Sequence, residues 1–228
     1  MRNFMRVLTA VLVVAAMTTV GVSKAQADFI TSLGQIQVDG TVNWNQFGPT
    51  GTILGGGDWA TVTGLPNTSV SVWGPQTAFG GFQRLDEGLG FSGNFAPGTP
   101  LLSSITSGGG LPEFRFDFLN STTGSTAPVS GFAMQYQFSP YGPFGVDLSV
   151  YNEFGSLLGS RNYTGVSSNA ANGSALWLGM ESDYRDVGYF TLTSSTSVPF
   201  TTNAALVGPL YVQGARRSRR FLSRPRSC

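Results

Sequence analysis

Apolar and polar side chains alternate with a period of two through most of this chain, and that period constrains its fold more than any other feature. Phe114, Phe116 and Phe118 share one phase, with Arg115 and Asp117 in the other. Phe132, Met134, Tyr136 and Phe138 repeat the pattern around Ala133, Gln135 and Gln137, and Val146, Leu148 and Val150 alternate with Asp147, Ser149 and Tyr151. Successive side chains of a strand point to opposite faces, so such runs read as half-buried strands. Ile36 and Val38, then Asp39-Gly40, then Val42 and Trp44 predict a two-residue hairpin. Further strands are predicted over residues 60–62, 69–73, 80–85, 157–163, 175–180, 187–193 and 205–212. Residues 55–57, 108–110 and 120–130 read as loops by composition.

No stretch beyond the N-terminal leader carries a capped stripe of helical period. The 17 phenylalanines are enough for a large core, while 11% charged residues are too few for a coiled coil or a long solvated helix. The expected fold is all-β: an antiparallel two-sheet β-sandwich, jelly-roll-like, in a single domain over residues 28–213.

Before that domain, Arg2 and Arg6 precede an apolar run over residues 7–16 that fades toward Val22, and Ala25-Gln26-Ala27 stands just before Asp28. A basic start, a short apolar stretch and small residues at both required places form the pattern of a secretory signal peptide, residues 1–27, cleaved near Ala27. The run is too short for a retained span, so no transmembrane segment is expected after cleavage. Residues 28–215 then hold four arginines against 12 acids, a net of −8, whereas residues 216–228 hold six arginines and no acid. The near-neutral total conceals an acidic body and an arginine-rich tail, residues 214–228, expected to be disordered. Charge alone gives that tail no specific nucleic acid to recognise.

Residues 131–159, GFAMQYQFSPYGPFGVDLSVYNEFGSLLG, resemble the central hairpin of a family of secreted bacterial jelly-roll proteins of the PEP-CTERM-associated type. In that family a strand ending near Gly-x-Asp precedes one of the form VxVYDxxGxLLG. Residues 178–183 with 187–193 resemble the next two strands, and 205–212 the closing strand. The resemblance implies export and a place at or outside the cell surface. The sorting tail itself is degenerate or absent, because Val198-Pro199 is followed by Phe200 where the motif has glutamate, and Gly208 and Pro209 interrupt a short apolar stretch.

Chemistry is bounded mainly by omission. The chain has no histidine, which removes the imidazole of nucleophile activation, general-base catalysis and the common zinc sites. Its single cysteine, Cys228, allows no internal disulfide. Carboxylates and aromatics remain as site chemistry. Glu181, Asp183 and Asp186 are the candidate calcium ligands, and Asp86-Glu87 is a weaker acidic pair; no other cofactor is expected. Glu113 and Asp117 share a strand face that also carries Arg115, the one acidic pair considered for glycoside hydrolysis. Sugar faces stack on exposed rings; Trp59, at a loop edge, is the candidate ligand-binding residue. Trp44 and Trp73 are read as core side chains and Trp177 is left open. The expected function is a non-enzymatic, exported structural or glycan- and matrix-binding component with extracellular polysaccharide as partner; the alternative is a secreted carbohydrate-active hydrolase using a carboxylate pair.

Overall fold

The computed structural model describes residues 27–74, 81–107, 111–139, 141–184, 186–195 and 202–214. The leader up to Gln26 and the tail from Ala215, with Cys228, lie outside them. In chain order the strands are β1 (Ala27–Ile30), β2 (Gly40–Val42), β3 (Ile53–Leu54), β4 (Trp59–Thr61), β5 (Thr68–Trp73), β6 (Gly81–Glu87), β7 (Gly90–Phe91) and β8 (Pro100–Ser107). They continue with β9 (Glu113–Asn120), β10 (Gly131–Ser139), β11 (Gly142–Tyr151), β12 (Leu157–Ser167), β13 (Leu176–Ser182), β14 (Tyr189–Ser194) and β15 (Thr202–Gln213). Two short 3-10 turns, Leu33–Gln35 and Trp44–Phe47, are the helical elements among the described residues.

A six-stranded front sheet has the order β12-β11-β14-β9-β5-β4, and a nine-stranded back sheet the order β1-β13-β10-β15-β8-β6-β3 with β2 on β15 and β7 on β6. Every pairing is antiparallel except the short parallel contact of β6 with β7. From β8 onward the chain crosses repeatedly between the sheets, as a jelly roll does, so the antiparallel sandwich read from the sequence is the fold. The hairpin resemblance over residues 131–159 divides accordingly: β10 lies in the back sheet, and β11 with β12 forms a hairpin of the front sheet.

The phenylalanine phase of β9 points inward. Phe114, Phe116 and Phe118 are fully buried, and they meet Phe132 of β10 and Phe190 of β14 between the sheets. Phe190 stacks on Phe132 at 3.9 Å between ring centroids and on Phe116 at 4.8 Å. Burying each such ring contributes roughly 1.5–3 kcal/mol. Along one side the sheets are tied by Tyr163 of β12, whose hydroxyl is 2.9 Å from the Ile30 carbonyl and 3.1 Å from that of Gly179. Burial pushes the Tyr163 hydroxyl up to about 12.

The hairpin predicted at Asp39-Gly40 does not form. The Asp39 N–H donates to Val212 O at 2.9 Å, the Gln37 N–H to the Gln213 side chain, and β2 pairs with β15, so long-range partners take the groups a local turn needs. Trp44 lies in a 3-10 turn capped by Asn43 instead of a strand, fully buried, with its indole N–H donating to Gly208 O at 2.8 Å. The apolar stretch ending at Val212 belongs to β15 in the middle of the back sheet, where Gly208 and Pro209 fall in a bulge: between the pairs Met134↔Leu210 and Tyr136↔Val207 these two residues stand opposite the single Gln135. A bulge is where a sheet accommodates proline.

The two outer faces differ. On the back sheet, Phe95 and Ala175 cover Leu85, Leu101 and Leu206, while Ile36 and Leu33 pack over Ile30 and Ala133 beside Trp177 and Tyr211. Under this roof Gln137 bonds Asn94 N and Ser168 O, and the buried Glu87 accepts from the Gly93 N–H at 2.8 Å. The front sheet has no such apolar cover among the described residues. No helix among them is long and apolar enough to cross a membrane.

Candidate functional site

Strand register places the outward side chains of the front sheet in rows. Tyr151 of β11 is opposite Tyr189 of β14, Tyr189 opposite Asp117 of β9, Asp117 opposite Ser71 of β5, and Ser71 opposite Trp59 of β4. The adjacent row is Ser149, Thr191, Arg115 and Trp73. At about 4.8 Å per strand, the first row runs roughly 19 Å across the sheet.

Arg115 organises the middle of the face. Its Nη2 is 2.7 Å and its Nε 3.0 Å from Asp117 Oδ1, and its Cζ lies 4.0 Å from the Tyr189 ring centroid. Tyr151 stacks on Tyr189 at 4.6 Å with planes 10° apart. The hydrogen bonds it donates to Asp117 hold the guanidinium still more firmly protonated than usual. A planar fork paired with a carboxylate and laid over a ring fixes all four side chains in place.

At the other end the two tryptophans stand clear of the sheet, Trp59 58% exposed and Trp73 41%. Trp73 leans on the glycine loop before β4. Gly57 has φ +93°, and a methyl group on it would lie 2.9 Å from the Trp73 ring, so only glycine admits both the turn and the contact. The loop is held to β5 by Gly57 N–H to Val72 O and by Ser71 Oγ to Gly57 O. An open depression of about 520 Å³ lies among Trp73, Arg115, Asp117, Leu119 and Gly124. A second, of about 610 Å³, occupies the far corner of the same face between Pro143, Asn162, Thr164 and Val166.

Trp59 is therefore on an outward row, and the reading of Trp73 as core is corrected. Val70 and Val72 point inward and Trp73 has the opposite parity, the one it shares with Ser69 and Ser71. Trp177 is half-buried against Tyr211, 5.7 Å between ring centroids. Glu113 and Asp117 share the front face, with Arg115 between them and bound to Asp117.

Glu181, Asp183 and Asp186 form no three-ligand group: no cluster of three or more His, Cys, Asp or Glu able to hold a metal occurs among the described residues. Glu181 lies on β13 and accepts from Gln213 Nε2 at 3.0 Å, Asp183 is exposed, and Asp186 has a buried Oδ1 without a hydrogen-bond partner. Asp86 is bound to Arg84, whose hydrogen bond holds its carboxyl below the usual range.

No protein-family model matches the chain, and no curated protein matches it. Among solved structures it is similar to the CBM32 of AlyQ in complex with 4,5-unsaturated mannuronic acid, with 16% identity and a TM-score of 0.26 over 46% of this chain and 75% of that one. It is also similar to TmCBM61 in complex with beta-1,4-galactotriose, with 7% identity and a TM-score of 0.30 over 64% and 88% of the two chains. A third is an Arthrobacter globiformis T6 isomalto-dextranase complexed with panose, with 12% identity and a TM-score of 0.32 over 82% of this chain and 32% of that one. At these values a functional reading rests on the face itself.

Proposed function

We propose that the front face binds a glycan chain laid across the strands, and that the protein works at or outside the cell surface as a non-enzymatic binding or structural component. The observation that carries the reading is the in-register set Trp59, Trp73, Arg115, Tyr189 and Tyr151 on a sheet face that, among the described residues, lacks the apolar cover of its counterpart. Rings offer flat apolar platforms to sugar faces; Asp117 and Thr191 between them supply hydrogen bonds.

Binding without cleavage is favoured by the position of the acids. Glu113 and Asp117 are four residues apart on one strand, roughly 13 Å at 3.4 Å per residue, beyond the 5–9.5 Å that glycosidase pairs span. Asp117 is also neutralised by Arg115. Export fits the leader pattern and the resemblance to secreted jelly-roll proteins.

The test is affinity electrophoresis of the exported protein against a polysaccharide panel, with reducing-sugar release measured on the same polymers. Retardation that disappears in the Trp59→Ala, Trp73→Ala double variant, without sugar release, is expected. Turnover that depends on a particular acid overturns it. So does a dimer in sedimentation that dissociates in the double variant, since the face then serves a second copy of the chain.

A further inference from the structure

We infer that the front face selects uncharged glycans and excludes polyuronates. This rests on the glycan reading above and adds the ligand's charge class. Around the aromatic rows stand four carboxylates with no cationic partner among the described residues, Asp58 just before Trp59, Glu113 on β9, Asp147 on β11 and Glu153 in the loop after Tyr151, while a fifth, Asp117, is paired with Arg115. Among the described residues Arg115 is the one cation on these rows, and its Nε and Nη2 are committed to Asp117 while its plane lies over Tyr189. Arg161 is not available to the face: it is opposite Leu148, an inward residue, and its guanidinium lies 4.8 Å from the Tyr163 ring centroid.

A uronate placed on the rings has to approach these carboxylates. Glu113 is two residues from Arg115, about 7 Å along the strand, which is inside the roughly 8 Å screening length at physiological salt. Like charges brought that close without an unpaired cation disfavour binding. Neutral sugars meet no such penalty. Their hydroxyls find donors and acceptors in Ser149, Thr191 and the outer lone pairs of Asp117. The Asn162 side chain donates to Asp147 Oδ1 at 2.8 Å and to Ser195 Oγ, extending a polar, uncompensated acidic border along the far edge.

Affinity electrophoresis in about 0.15 M salt separates the outcomes. The probes are hydroxyethylcellulose, galactomannan and dextran as neutral polymers, and polygalacturonate and hyaluronan as uronates. Retardation by at least one neutral polymer, weakened tenfold or more in the Trp59→Ala, Trp73→Ala variant, and none by the uronates, is the expected result. Retardation by a uronate that fades with added salt overturns the charge selection while leaving the glycan reading intact. No retardation by any polymer overturns both. A Glu113→Lys, Asp147→Lys variant tests the cause separately: it gains uronate retardation if charge is the filter, and its failure to do so while still folded removes the argument.

Discussion

Gly57 and Gly51 make a matched pair for testing whether the loop before β4 holds Trp73 in place. Both have a left-handed backbone, φ +93° and +92°, so alanine at either position carries the same local strain, about 1–2 kcal/mol. For a domain of this size that corresponds to a fall in Tm of roughly 2–8 °C. Their surroundings differ. A Cβ on Gly51 meets nothing within 4 Å, whereas one on Gly57 meets three ring carbons of Trp73 at 2.9, 3.2 and 3.3 Å. Trp73 is 41% exposed, so the ring swings outward and the extra loss of stability from Gly57→Ala stays within about 1 kcal/mol. The binding effect is larger in kind. An aromatic contact worth about 0.5–1.5 kcal/mol is displaced, a loss of roughly two- to twelvefold in glycan affinity for Gly57→Ala and none for Gly51→Ala. Titration with the retained polysaccharide measures this directly. Acrylamide quenching reads the same event without ligand, because Trp73 becomes more accessible in Gly57→Ala alone. Equal affinity and equal quenching in the two variants would refute the clamp.

Three further outcomes follow from the core and its buried acids. Phe190→Ala, at the centre of the aromatic stack, should cost about 3–5 kcal/mol in denaturant unfolding, while Phe154→Ala, at an exposed loop position, should cost under about 0.5 kcal/mol. A Phe190→Ala loss below about 1 kcal/mol contradicts the packing. Glu87 is buried, with Oε2 unpartnered, and burial raises its carboxyl above the ordinary value. The fold therefore holds that proton more tightly than the unfolded chain, and the site's contribution is full at low pH and lost as pH rises through the raised value. Glu87→Gln should gain stability over the parent at pH 7 and lose that advantage near pH 4, in melts at both pH values. Burial likewise raises the Tyr136 and Tyr163 hydroxyls, so stability falls as pH climbs from the unfolded tyrosine value near 10 toward about 12. Absorbance titration should show these two tyrosines ionising only as the fold is lost; normal titration of either in the intact protein counts against its burial.

The front sheet was legible in the sequence because one of its faces is wet. Phe114, Phe116 and Phe118 announce β9, and the valine and leucine phase announces β11. The back sheet was harder to read. Leu101 faces the Phe95 roof and Leu102 the interior, so β8 has no alternation, and no strand was expected there. The exposure of Trp59 is legible from its place beside a glycine loop. Reading Trp73 as core puts it on the apolar phase of its strand, whereas Val70 and Val72 define the inward phase of β5 and Trp73 has the other parity. Tyr151, Tyr189 and Arg115 come from three strands, and no spacing along the chain shows that register brings them into contact. The Asp39-Gly40 turn failed for a related reason: its partners are contributed by β15, more than 170 residues on.

The position of β15 has a consequence for how this molecule is assembled. Without it the back sheet separates into β1-β13-β10 and β8-β6-β3, and β2 has no strand to pair with. The last of the described strands is the keystone of the larger layer, so β10 and β8, which precede it in the chain, have open edges until β15 pairs with both. Such non-local closure slows folding. A chain shortened before Thr202 is left with two unpaired edges, on β10 and β8, the kind of surface that pairs with other molecules.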